Sequence, residues 1–118
     1  MIEISRGHFN GLQAALHECA KANLYPSILI PSEDYQGSPI HWHDHDVHVF
    51  LLEGKAQVFD AEEQLITFEA GDKLLIPERT VHREAPSIPG GDAVVLIAFP
   101  KPIGPGQVVG RDPTELTP

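Results

Sequence analysis

The feature that most constrains this chain is a series of six short β-prone runs with no helical stretch between them. They lie at residues 27–30, 48–52, 56–59, 64–68, 73–76 and 93–99, separated by turn residues such as Gly54, Gly71-Asp72 and Pro89-Gly90-Gly91. A parallel sheet needs crossover helices, and none is encoded here. The pattern therefore predicts an all-β antiparallel sandwich or barrel. One amphipathic helix is expected ahead of it, over about residues 9–24, where Phe9, Leu12, Leu16 and Cys19 recur at helical spacing. Tyr25-Pro26 ends that helix, because a residue before proline is pushed out of the α region. Its apolar stripe is expected to cover one face of the sheet, with Cys19 a buried small hydrophobe rather than a nucleophile.

At 118 residues the chain is long enough for one domain with its own core. We place that domain at residues 1–99. Residues 100–118 are a Pro/Gly-rich tail, expected to be an extended strap or a frayed end. A formal net charge of −9 repels phosphate backbones, so nucleic acid is not an expected partner. No apolar run approaches the ~20 residues that span a bilayer. A single cysteine cannot form an intrachain disulfide, and the N-terminus lacks the basic-then-apolar order of a secretory signal, so a cytoplasmic location is expected.

Four of the seven histidines fall in one stretch, His41-Trp42-His43-Asp44-His45-Asp46-Val47-His48. On a regular strand, residues two apart face the same side, so His41, His43 and His45 would share a face. Two imidazoles so placed can converge on one ion. A third donor must come from elsewhere in the chain, and His82 is available beyond two turns. Imidazole suits several divalent transition metals, so the donors alone leave Fe, Mn, Ni and Zn open. The alternative for such a stretch is an exposed polar loop that binds metal adventitiously. His8 and His17 lie on or beside the helix and are read as surface residues.

Two motifs carry a resemblance. The first runs from Gly37 through His41-x-His43, then Val47 after three residues and Gly54 after six more. The second reads Gly71-x5-Pro77-x-Arg79-x2-His82-x3-Pro86, and residues 55–70 separate the two. Together they resemble the paired motifs of the cupin superfamily over about residues 25–99. The resemblance implies a double-stranded β-helix, or jelly-roll-like antiparallel barrel, around a metal held by His41, His43 and His82. It also implies a homodimer, a reading that edge strands in need of cover support.

The chain departs from the family pattern where a metal-binding glutamate is usual, since that slot holds Val47. His48 is the competing fourth ligand. It would need a bulge to re-aim it, because a regular strand points it away from Val47, Val49 and Leu51. His45 is a weaker candidate, expected in the loop between the half-motifs. Asp44 and Asp46 are read as exposed or as partners of imidazole N–H groups. Trp42 and Phe50 are read as core or pocket wall, Arg79 as the occupant of a family glycine position, and Arg83 and Glu84 as strand surface. No acid–base residue can be placed beside the metal from sequence.

A three-histidine centre without a carboxylate resembles cupin dioxygenases in ligand number. The functional expectation is therefore a metal-dependent, dioxygenase-like enzyme acting on a small molecule. The alternatives are a non-catalytic metal- or ligand-binding sensor, and a metal-dependent isomerase or lyase.

Overall fold

The computed structural model describes residues 1–116. Eight strands and one helix follow in the order β1 (Glu3–Ser5), α1 (Gly11–Lys21), β2 (Tyr25–Leu29), β3 (Val47–Glu53), β4 (Lys55–Phe59), β5 (Leu65–Glu69), β6 (Lys73–Ile76), β7 (Arg83–Glu84) and β8 (Val94–Phe99). They form two antiparallel sheets, one of five strands in the order β1-β6-β3-β8-β2 and one of three in the order β5-β4-β7. The six predicted runs all become strands, while β1 and β7 are too short to leave a periodic signal. Gly54 makes the corner at which the chain leaves one sheet for the other. Its φ is 78°, and a Cβ there would lie 2.1 Å from the Gly91 carbonyl oxygen, so no other residue fits.

The jelly-roll expectation holds only in part. Among the described residues no strand closes the two sheets into a continuous barrel. Prolines explain the opening, because the segments that would complete it contain Pro31, Pro39, Pro86 and Pro89, which cannot donate to a ladder. β7 is consequently only two residues long. The inner faces of the sheets share a core of Val47, Leu51, Val58, Phe68, Leu74 and Phe99 with their neighbours.

The helix is shorter than expected, and of the expected stripe within it only Cys19 is buried. Leu12 and Leu16 are 40% and 41% exposed, whereas Ala15 and Cys19 are fully buried against Phe50, Leu96 and Ala98 on the outer side of the larger sheet. Two small residues let the helix sit close to the sheet, which leaves the longer leucines at the rim. Asn23, at φ 56°, carries the chain out of the helix before Tyr25.

Asp72 ties the beginning of the chain to the β5–β6 turn. Its carboxylate accepts from the backbone N–H groups of Gly7 and Glu69 and from Arg6 Nη1, all at 3.0 Å. Burial alone would raise its pKa, but these donors hold it below the ordinary carboxylate value.

The tail is a strap rather than a frayed end as far as it is described. Two 3-10 turns, Pro105–Gln107 and Pro113–Glu115, flank a stretch that returns to the body of the domain. There Arg111 and Trp42 exchange both backbone hydrogen bonds, at 2.8 and 3.1 Å.

Candidate metal centre

His41 and His82 are brought together by an isolated antiparallel bridge outside the named strands, in which each backbone N–H donates to the other's carbonyl at 2.8 and 2.9 Å. His43 follows two residues after His41, on the same side of this extended stretch. Backbone bends at Asp44 and His45 then break the alternation. One potential ligand atom from each of His41, His43 and His82 lies within 4.8 Å of the other two. His43 and His82 are buried and His41 is partly so.

The tautomers follow from the hydrogen bonds. His41 Nδ1 lies 2.7 Å from the Pro39 carbonyl, His43 Nδ1 lies 2.8 Å from that of Val109, and His82 Nδ1 lies 2.8 Å from that of Thr80. A carbonyl oxygen only accepts, so each Nδ1 carries the proton and donates. Every Nε2 is thereby left with a free lone pair, which is how metal-binding imidazoles are usually oriented. Burial also disfavours protonation of two of them. It lowers the His43 pKa, and it lowers that of His82 from 6.5 to about 4, with the neighbouring imidazoles pushing in the same direction. Neutral donors with aligned lone pairs fit a divalent transition metal.

The other candidates are placed elsewhere. Val47 is 4% exposed in the core, so the fourth position of the family pattern is apolar. His48 is not among the three imidazoles brought together. It alternates with Val47 and Val49 and shares the helix-facing side of β3 with Phe50 and Leu52. The register shift that β3 does contain falls between Leu51 and Glu53, too late to re-aim it. Burial lowers the pKa of His48, Lys73 adds to the effect, and its Nδ1 has no hydrogen-bond partner. His45 stacks on His43 with ring centroids 5.6 Å apart and turns its Nδ1 to the Asp46 carbonyl. Asp44 pairs with Arg111, and Asp46 accepts from the Glu78 N–H, so neither carboxylate supports an imidazole. Arg79, in the family glycine position, has φ 66° and donates its N–H to the His43 carbonyl at 2.8 Å. The left-handed backbone there accounts for glycine as the usual occupant.

The three imidazoles line a cavity of about 920 Å³ between the sheets, whose other walls include Val49, Phe68, Ile76 and Ile97. Glu84 also faces it. Its partner across the β4–β7 pair is the inward-facing Val58, whereas the next pair, Arg83 and Phe59, stacks on the outside. Glu84 is exposed, as expected from sequence, but it stands on the cavity wall. The Tyr35 hydroxyl donates to Glu84 Oε2 at 2.7 Å, and burial together with that carboxylate raises the tyrosine pKa to about 12. The signal for its place on the cavity wall was present in the sequence, because Glu84 stands two residues after His82 on one extended stretch. The carbonyls that orient the imidazoles had no such signal.

No protein-family model matches the chain, and no curated protein matches it in sequence. Solved structures do share its fold. A TDP-quinovose 3,4-ketoisomerase from Campylobacter jejuni, WlaRB, superimposes with a TM-score of 0.60 at 11% identity, covering 77% of this chain and 72% of its own. The polyketide cyclase RemF from Streptomyces resistomycificus gives 0.56 at 19%, covering 66% of this chain and 55% of its own. A cupin-2 domain protein from Shewanella frigidimarina gives 0.50 at 22%, covering 66% of this chain and 69% of its own.

Proposed function

We propose that this small protein of the cupin fold is a metal-dependent enzyme that acts on a largely apolar small molecule. The observation that carries the reading is the set of three imidazoles with ligand atoms within 4.8 Å of one another, each with its Nδ1 turned to a backbone carbonyl, lining the cavity between the sheets. A bound Fe, Mn, Ni or Zn ion would be held by His41, His43 and His82 and would supply Lewis-acid or redox chemistry at its open positions. The chain's own residues do the rest. Val49, Phe68 and Ile97 take the apolar body of the substrate and exclude water, while the Glu84 carboxylate accepts a proton from it. Tyr35 holds that carboxylate in place.

Oxygen activation, as expected of a three-histidine centre, and proton transfer leading to isomerisation or cyclisation are both compatible with such a site. Glu84, exposed but on the cavity wall, favours proton transfer. A second copy of the chain is the partner proposed for the free edge of β2, where Tyr25, Ile28 and the adjoining Ile30 are 49%, 54% and 69% exposed.

The test begins with elemental analysis of the purified protein and of a His41→Ala/His43→Ala variant. Near-stoichiometric metal in the first and none in the second is expected. Equal metal in both removes the site. With metal bound, a panel of carbonyl compounds is then followed for oxygen uptake and for deuterium exchange at acidic C–H positions. Exchange that is lost in Glu84→Gln supports the proton-transfer reading, and oxygen uptake retained by Glu84→Gln supports the oxygenase. Ligand-induced stabilisation without either change would identify a binding module.

A further inference from the structure

The strap formed by residues 108–112 is poorly buried by itself, yet it meets the three-imidazole site at several points. The Val109 carbonyl is the acceptor for His43 Nδ1. A Cβ on Gly110 would lie 3.2 Å from Cγ of His41 and 3.3 Å from its Cβ and Cδ2, so the ring lies directly on the glycine backbone. Trp42, between the two histidines, pairs its backbone with Arg111 and donates its indole N–H to the Asp112 carbonyl at 3.0 Å. Outside, Arg111 forms an ion pair with Asp44 and lies over the Trp42 ring at 5.7 Å.

We infer that Val109 and Gly110 are positioning residues for this site: the Val109 carbonyl fixes the His43 tautomer, Gly110 admits the His41 ring, and metal binding and strap docking reinforce each other. The inference rests on the metal reading above. With the strap away, His43 loses the acceptor that selects its Nδ1–H form, and its Nε2 is no longer held as the free donor. A metal that requires that donor favours the docked strap, and by linkage the docked strap raises affinity for the metal by the same factor.

A matched pair of glycine substitutions in the full-length chain tests this. Gly110→Val pushes against the His41 ring. Gly106→Val lies just before the strap, in the Pro105–Gln107 turn, at a position where an added Cβ meets nothing within 4 Å. Binding of Co²⁺ is measured by calorimetry, and the emission of Trp42, the single tryptophan of the chain, reports docking. Gly110→Val is expected to weaken Co²⁺ binding by about tenfold or more and to red-shift Trp42 in the metal-free protein. Gly106→Val should leave both readings as in the wild type.

Where far-UV circular dichroism shows Gly110→Val to be unfolded, the outer ion pair decides. Asp44→Ala/Arg111→Ala should weaken Co²⁺ binding a few-fold, and the charge-swapped Asp44→Arg/Arg111→Asp chain should regain it. Wild-type affinity in Gly110→Val, equal losses in both glycine variants, or no rescue by the swap overturns the coupling alone. A wild-type protein that takes up no Co²⁺ removes the metal reading and the coupling with it.

Discussion

Acidifying the metal-free protein should cost it stability in a window set largely by His82. The ring is 3% exposed, donates Nδ1–H to the Thr80 carbonyl, and lies 4.4 and 5.3 Å from the His41 and His43 ring centroids. Burial lowers its pKa from 6.5 to about 4. In the unfolded chain the same ring takes up a proton near its ordinary pKa. Between those values the unfolded state binds more protons, so stability rises with pH and is lost as pH falls from about 6.5 towards 4. A difference of roughly 2.5 pH units at ~1.4 kcal/mol each is about 3 kcal/mol. That is a large share of the roughly 5–15 kcal/mol that holds a typical domain together. His43, whose pKa burial also lowers, adds to the loss. The assay is urea unfolding in excess chelator at intervals from pH 7.5 to 4.5, on the wild type and on His82→Gln. Carboxylates and the remaining histidines titrate in both, so subtraction leaves the contribution of His82. Identical pH slopes for the two proteins would refute the reasoning, because they would mean that His82 is protonated as readily folded as unfolded. Added metal should steepen the wild-type slope, since its ligands must be deprotonated to bind.

Three further substitutions test the frame around the site. Asp72→Asn retains the shape of Asp72 but loses the charge that three donors share, and should lower the unfolding free energy by about 2–3 kcal/mol in urea; a loss under about 0.5 kcal/mol would remove Asp72 as a tie between β1 and the β5–β6 turn. Gly54→Ala forces a Cβ into the Gly91 carbonyl at a left-handed corner, and should cost at least about 3 kcal/mol or prevent soluble expression. A fully stable alanine variant would show that the corner is not built this way. His48→Leu removes a buried ring nitrogen without a partner and extends the apolar contact with α1, so thermal melting should show unchanged or higher stability, by up to ~1 kcal/mol. Metal content should be unaffected, and its loss would restore His48 as a ligand.

The parts of the site legible in the sequence were those governed by local spacing. Residues two apart on an extended chain must share a side, which put His41 with His43. It would equally have put Glu84 with His82 had the strand been followed one step further. His48 was legible in the same way, as its parity with Phe50 and Leu52 placed it on the helix side. What spacing does not encode is distance between elements. The helix stripe was read only in part: Cys19 is buried as expected, but close approach favoured Ala15 over the larger Leu12 and Leu16. The tail was uninformative because proline and glycine leave no period, although Val109 and Gly110 complete the surroundings of two imidazoles. The three groups that select the tautomers of His41, His43 and His82 are all main-chain carbonyls, a feature every residue possesses and no pattern reveals.

The apolar fourth position bears on what the site can hold. Three neutral imidazoles leave both positive charges of a divalent ion uncompensated, and Val47 adds none of the charge that a carboxylate would bring. Compensation can then come from the Glu84 carboxylate on the cavity wall and from what enters the cavity, because a charge there is costly unless paired. An oxygen of the substrate that becomes negative during reaction is favoured there more strongly than one that stays neutral. Proton loss to Glu84 creates such an oxygen when the proton lies next to a carbonyl or on a hydroxyl. Under the proposed function, Val47 and the exposed Glu84 on the cavity wall would act together: the first adds no negative charge at the imidazoles, and the second would generate it on the substrate.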